Sequence, residues 1–335
     1  MAILESLKGN SSLFVKAIPQ IPQGYYVHFV LVRETESFPL FQTDGTLNVI
    51  RVQAGLKPGT AGNIVSRLVL FKRKQSSPER LTGRELLRHH GLISDEGELK
   101  CEYNSEAFCK HCPDCILYGY AIGSEGAEKS KVYVDSAFSI TTYEESHKAF
   151  SFNALYEHGT MTREGKTRVS FGEQDHVVPQ VFFPSVVTLR DPTYEGFLYV
   201  AGNLLRTDRY GAQDTRTGKV HNHLITITFA DGEIFSNLRF TQAIYDLLKD
   251  NNQWSEPLDR QAVLDAASSA YSALIADEPV ARARELMGAE LKELQAEVIA
   301  LYQDERRIGD LLRALDKATR EYAYGYGAAK SKKTD

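Results

Sequence analysis

The chain has 335 residues and 42% hydrophobic content, enough to bury a full core and more than one compact domain usually holds. No stretch approaches the roughly eighteen consecutive apolar residues that cross a bilayer, which excludes an obvious spanning helix and predicts a cytoplasmic protein. The net charge of −5 argues against a polyanion binder only until its distribution is read: residues 51–90 hold nine Lys and Arg against two Glu, while 255–322 hold nine basic against fourteen acidic residues. A basic surface of that kind draws phosphates, and acidity farther away than a Debye length leaves it largely intact.

Along the chain, Tyr25–Arg33 (YYVHFVLVR) is aromatic and β-branched enough for a strand, and Leu47–Gln53 and Val65–Phe71 read likewise. Between the last two, Gly55-LKP-Gly59-TA-Gly62 holds Lys57 and is either a plain loop or a turn that aims amides at a phosphate. The basic run Lys72, Arg73 and Lys74, with Arg67 before it, is either a solvated strand end or a phosphate contact. Ser77-Pro78-Glu79 predicts the start of a short helix through LTGRELLRHH, with Arg80, Arg84 and Arg88 recurring every four residues on one face and Gly91 ending it. His89 and His90 then fall at the helix carboxyl end, where they need no chemistry.

All four cysteines follow, in the run Cys101-EYNSEAF-Cys109-KH-Cys112-PD-Cys115. Two successive C-x2-C steps with a fourth thiol upstream suit a tetrahedral structural zinc site. MAILESLKGNSS lacks the basic and apolar regions of a secretory leader, so reduced thiols are expected rather than disulfides. Iron–sulfur ligation stays open, although Gly119 occupies the next ligand position, as does a redox dithiol at Cys112-Pro-Asp-Cys115 or a place for His111 among the ligands.

Lys131–Thr142 (KVYVDSAFSITT) predicts another strand, which makes the cysteine segment an insertion between a helix and that strand. Phe152–Asp175 is polar and punctuated by Glu164-Gly165, the pattern of a long β-hairpin with Arg163, Lys166 and Arg168 at its tip. His176–Leu189 (HVVPQVFFPSVVTL) reads as a strand whose two prolines favour an edge. Asp191-Pro192 starts a second helix, with Phe197, Ala201, Leu204 and Leu205 facing a core. It ends in a glycine-and-arginine loop carrying Arg206, Arg209, Arg216 and Lys219 before the strand His221–Phe229.

The order β-α-β-β-α-β is that of a ferredoxin-like α+β fold, in which helices cover one sheet face and the other is offered to a ligand. The chain lacks the aromatic signature of base stacking on such a sheet. His221-Asn222-His223 has no carboxylate cluster at matching spacing, and no P-loop, G-x-S-x-G or H-E-x-x-H is present. From Leu258 the chain turns helical, with Leu291, Leu294, Val298 and Leu301 and then Ile308, Leu311, Leu312 and Leu315 at steps of three and four, to dock on the domain or on a neighbouring copy. The tail from Tyr322 has a disordered, basic composition.

Taken together, LTGRELLRHHGL, CKHCPDCILYG, SFNALYEHGTMTREGKTRVSFGEQDHVVPQVFFP and NLLRTDRYGAQDTRTGKV resemble the repeated backbone subunit of type I-D CRISPR interference complexes, in the RAMP superfamily, over roughly residues 24–250. The resemblance implies a modified RNA-recognition-motif palm that binds the spacer of a crRNA without catalysis, copies stacking into a filament that presents the guide to target DNA or RNA beside other subunits. It further implies that the hairpin is a thumb reaching over the guide, and that the glycine-and-arginine loop and the helix of Arg84 and Arg88 contact phosphates. The expected division is a palm at 1–92 and 131–250 with the thumb at 152–175, a zinc insertion at 93–130, a helical segment at 251–325 and a disordered tail at 326–335. Relatives in type III systems cut RNA with an early-loop acid; Asp44 in FQTDG sits in a comparable place and reads equally as a turn residue. A zinc-dependent nuclease using Asp44 and the histidines, and a redox protein using Cys112 and Cys115, are the alternative functions.

Overall fold

The structure, a computed structural model, describes residues 3–43, 45–123, 126–152, 162–163, 166–167 and 172–325. In chain order its main elements begin with β1 (Tyr26–Thr35), β2 (Val49–Gln53), β3 (Ile64–Leu70), α1 (Lys72–His89) and α2 (Pro113–Leu117). Next come β4 (Val132–Val134), β5 (Ala137–Phe138), β6 (His147–Phe152), β7 (Gly172–Val177), β8 (Phe182–Arg190), α3 (Tyr194–Arg206) and β9 (Val220–Ala230). The chain closes with α4 (Asn237–Asp250), α5 (Arg260–Ala276), β10 (Arg282–Leu286), α6 (Gly288–Gln303) and α7 (Glu305–Gly325).

Strand β1 is buried at nine of its ten positions, because its β-branched and aromatic residues face helices on both sides of the sheet it centres. The sheet has the order β10-β9-β1-β8-β4. β1 runs antiparallel to β8 from Tyr26↔Arg190 to Glu34↔Phe182, and to β9 from Tyr26↔Ala230 to Thr35↔Val220 with a bulge at Val30/Leu31. Leaving out the edge strand β10, the four remaining strands lie in the order fourth, first, third, second by their appearance in the chain.

Val27, Phe29 and Leu31 of β1 pack with Phe197, Val200 and Leu204 of α3 and with the leucines of α6 and α7. Val30 and Val32 pack on the opposite side with Phe240 and Ile244 of α4 and Val263 and Tyr271 of α5. The expected ligand-facing sheet surface is therefore closed: each of these fully buried apolar side chains gains about 1.5–3 kcal/mol over exposure, which a solvated face would forfeit. A ligand must meet the edges and loops instead.

Four further expectations are corrected. Helix α1 begins at Lys72 and carries Pro78 inside it, so the basic run is its first turn rather than a strand end. The strand expected at 131–142 breaks at Asp135-Ser136 and changes sheets: β4 joins the central sheet and β5 joins β2 and β3 in a separate one. The break is held by side chains, since Gln75 Nε2 and Asn237 Nδ2 donate to the Asp135 carbonyl at 2.8 and 3.2 Å.

β8 is an interior strand, not an edge, yet β4 pairs only with its residues 187–189. Pro184 lies beyond that reach and its nitrogen points away from β1, as the Val186 amide two residues on does in donating to Asn237 Oδ1. Pro184 is thus accommodated at a locally unpaired position of an interior strand. Residues 251–325 are not wholly helical, since they contain β10 as a fifth strand, paired at Ile227↔Leu286. Their helices pack on this chain's own core, with α7 against α3.

The hairpin ribbon pairs β6 with β7 from His147↔Val177 to Phe152↔Gly172, so it starts before residue 152 and ends after 175. Arg163 and Lys166 are cross-strand partners in a separate two-stranded pair. Arg168, Glu164-Gly165, Asp44 and the tail at 326–335 lie outside the described residues. Among the described residues no helix is long and apolar enough to cross a membrane.

Candidate functional site

The cysteine segment folds into a knuckle on the side of α1. The positive φ of Lys110 (69°) lets Cys109-Lys-His-Cys112 turn back on itself, and Cys112 caps α2 by accepting from the Cys115 amide. Cys101 is brought in by its backbone N–H, which donates to the Ser94 carbonyl at 3.0 Å. The sulfurs then stand at 3.9 Å (Cys101–Cys112), 3.6 Å (Cys101–Cys115) and 3.8 Å (Cys109–Cys115).

A tetrahedron of thiolates about 2.3 Å from a central zinc has edges of about 3.8 Å, whereas a disulfide needs about 2.05 Å. The spacing fits a four-sulfur metal site, and all four ligand atoms lie within 4.8 Å of one another. Amides of Cys109, Cys112 and Cys115 also point at sulfur, at 3.4, 3.3 and 3.5 Å, as in thiolate sites. Hydrogen bonds from Cys101, Cys112 and Cys115 pull the Cys109 thiol far below its ordinary pKa, while burial pushes Cys112 well above it. Four sulfurs this close cannot all ionise without a cation among them. His111 stays outside, its Nε2 accepting from Arg320 at 2.9 Å.

The knuckle is clamped to α1 by a buried carboxylate. Asp114 receives Arg80 at 2.9 and 2.8 Å and Arg84 at 2.6 Å, while Arg84 also donates to the Cys101 sulfur at 3.5 Å. Burial disfavours the Arg84 charge, but Asp114 and Cys101 outweigh it and raise the pKa above the ordinary guanidinium value. Arg84 is 0% exposed, so the phosphate contact expected of it is corrected. Arg67 is corrected likewise: it is buried, and donates to the carbonyls of Ser139 at 2.6 Å and Ala54 at 2.7 Å.

The remaining basic residues divide by place. Lys72, Arg73 and Lys74 line a cleft of about 940 Å3 together with Gln42, Thr43, Phe71, Pro78 and, from the glycine-and-arginine loop, Gly211 and Asp214. Two stretches far apart in sequence thereby meet at one opening. It combines basic side chains, the positive dipole end of an eighteen-residue helix, the exposed ring of Phe71 and the half-buried Pro78.

The loop is built inward from Tyr210, whose hydroxyl donates to Glu79 at 3.2 Å and accepts from Arg33 at 2.9 Å. Arg209 donates to the carbonyls of Asp214 and Thr217 at 2.6 and 3.0 Å, and Lys219 pairs with Asp208. These two charges shape the loop, while Arg216 stands exposed. Arg206 lies over the Tyr302 ring beside α6, and Arg88 is exposed at the other end of α1; neither lines the cleft. Lys57 pairs with Asp250, and the amides of Leu56 and Lys57 donate to Asp246 Oδ2 at 2.7 and 3.0 Å, so a carboxylate of the chain itself holds that glycine loop.

His223 bonds Glu34 at 2.7 Å, which also takes Arg260 at 2.7 Å, so the histidine pair belongs to a structural ion network. Sequence reasoning missed Asp114, Phe71 and the cleft as a whole. The missing signal was the polar character of the buried side of α1: Gln75, Glu79, Arg80 and Arg84 imply charged partners elsewhere in the chain.

A family model covering most of this antiparallel α+β chain places it among the CRISPR proteins. The chain belongs to the Csc2 CRISPR family, whose model matches residues 13–312. Its fold is similar to that of the Csc2 crystal structure from Thermofilum pendens, with a TM-score of 0.61 and 15% identity over 96% of this chain and 98% of that one. It is also similar to a chain of a solved CRISPR RNA-guided surveillance complex, pre-nicking, with a TM-score of 0.53 and 12% identity over 82% of this chain and 99% of the other. No curated protein matches it.

Proposed function

We propose that the chain is the repeated, non-catalytic backbone subunit of a type I-D CRISPR interference complex of the Cascade kind, holding the spacer of a crRNA by its sugar-phosphate strand. Membership of the Csc2 family supports the assignment, and the cleft where Lys72–Lys74 meet the loop of residues 206–219 is the observation that carries it. A subunit that accepts any guide must hold phosphates and leave base edges free for a target strand. Basic side chains and a helix's positive dipole end at an open cleft suit that task.

In this reading the fourth-first-third-second sheet is a modified RNA-recognition-motif palm of the RAMP type, comprising residues 1–92 and 131–250. The ribbon around 152–175, with Arg163, Lys166 and Arg168, is a thumb over the guide. Arg88, Arg206, Arg209 and Arg216 lend further positive potential, Lys57 and Lys219 lend less because Asp250 and Asp208 pair with them, and Arg67 and Arg84 do not touch RNA. Residues 93–130 form an insertion in which Cys101, Cys109, Cys112 and Cys115 hold a structural zinc ion, and 251–325 is a mostly helical buttress that also supplies the edge strand β10. Copies stack along the crRNA in the cytoplasm, with other subunits and with target DNA or RNA paired to the guide.

The test is purification from cells that express a CRISPR array, followed by analysis of the co-eluting nucleic acid. A discrete crRNA bound without base preference is the expected result. Protein that ignores single-stranded oligoribonucleotides of any sequence at moderate ionic strength overturns the reading.

A further inference from the structure

Three openings follow one another along α1. The basic cleft is lined by Lys72 and Arg73; the next, of about 360 Å3, by Lys72, Arg73, Ser76 and Arg80; and a third, of about 410 Å3, by Arg80 and the knuckle. From Lys72 to Arg80 the helix rises about 12 Å. Each neighbouring pair of openings shares a basic side chain as its common wall.

The third opening differs from the others in its lining. Tyr103, Phe108 and Tyr120 form an aromatic box, with Tyr103 and Phe108 edge to face at 6.4 Å and Phe108 and Tyr120 stacked at 5.8 Å. The Arg80 guanidinium lies 4.5 Å over the Tyr103 ring and is fixed in plane by Asp114 and the Gly119 carbonyl. Tyr103 is half-buried, and Asn104 and Glu106 stand exposed at the rim, where they offer donors and acceptors. An aromatic-and-guanidinium box with polar groups at its mouth matches a flat, amphipathic heterocycle. The four-sulfur knuckle and the Asp114 clamp hold it in shape beforehand, so little ordering entropy opposes occupancy.

We propose that this pocket stacks a nucleobase of the RNA strand that occupies the basic cleft, so that the knuckle grips the strand by a base where the cleft grips it by phosphates. The inference rests on the RNA-binding reading above. Stacking tolerates any base, which keeps the grip independent of sequence.

The test uses the intact chain with a short oligoribonucleotide and its abasic counterpart of equal length. Tyr103→Ala is expected to weaken binding of the base-bearing strand about tenfold and leave the abasic strand unchanged, with Tyr103→Phe restoring the wild-type value. A 5-iodouridine oligomer is expected to photo-cross-link to Tyr103 or Tyr120. Unchanged metal content and unfolding midpoint in Tyr103→Ala exclude a folding defect; if that variant misfolds, the cross-link on wild-type protein decides. Equal losses on both strands, no loss on either, or cross-links confined to other residues overturn the inference alone. Wild-type protein that binds neither strand overturns the RNA-binding reading as well.

Discussion

Arg84 and Asp114 meet at 2.6 Å with both side chains withdrawn from solvent, so an arginine expected on a basic surface instead ties α1 to the cysteine knuckle. Asp114 sits between two guanidiniums, and its loss would leave both without their carboxylate. Asp114→Ala is accordingly expected to destabilise the protein by about 3–5 kcal/mol. Urea unfolding measures this, and a cost below about 1 kcal/mol would show that the clamp is not structural.

The four-sulfur geometry predicts one divalent metal ion per chain. Cobalt substitution should produce the absorption of a tetrahedral thiolate site, and Cys109→Ser should lower metal affinity with less loss of fold than Cys112→Ser, because Cys109 is the less buried ligand. Chelation is expected to expose residues 94–123 to protease while β1 and β9 stay protected. Iron in the purified protein, with its visible colour, would replace zinc by an iron–sulfur centre.

Charge reversal in the first turn of α1 should weaken RNA of every sequence alike. Each of Lys72→Glu, Arg73→Glu and Lys74→Glu is expected to reduce the slope of log affinity against log salt by about 1, and the Arg84→Lys variant should leave that slope unchanged. Fluorescence anisotropy across a salt series reads both, and a loss restricted to particular sequences would point to base readout instead.

His28 supplies a pH dependence. Its Nε2 donates to the Gly232 carbonyl at 2.9 Å and its Nδ1 accepts from Thr188 at 2.8 Å, which describes a neutral ring, and burial lowers its pKa from 6.5 to about 4. The unfolded chain therefore binds this proton between pH 6.5 and 4 while the folded chain does not. Stability contributed by the neutral ring is intact above pH 6.5 and falls by up to about 3 kcal/mol as pH drops to 4. The difference between wild-type and His28→Gln unfolding free energies at pH 7.5 and 4.5 isolates this from acid release of metal; parallel pH profiles would refute it.

What was legible in the sequence is local. The strand at Tyr26–Thr35, the helix at Tyr194–Arg206 and the apolar spacing of Leu291–Leu301 and Ile308–Leu315 follow from side-chain periodicity that one element expresses by itself. The helix at Lys72–His89 was misread because its buried side is polar, and periodicity scores such a face as solvent. The partners that bury it, Asp114 for Arg80 and Arg84 and Arg33 for Glu79, lie thirty to forty-six residues away.

The two successive C-x2-C steps by themselves brought Cys109, Cys112 and Cys115 together, since each spans about one turn, whereas the fold delivers Cys101 through its backbone bond to Ser94. Only the tertiary structure decided that the sheet is covered on both faces, that Arg67 and Arg84 are internal, and that Lys72–Lys74 share a cleft with Gly211 and Asp214. The physical reason is that burial and charge pairing depend on which distant segments touch, and a charged side chain carries no local mark of whether its counter-ion will be a carboxylate of the same chain or a phosphate from outside it.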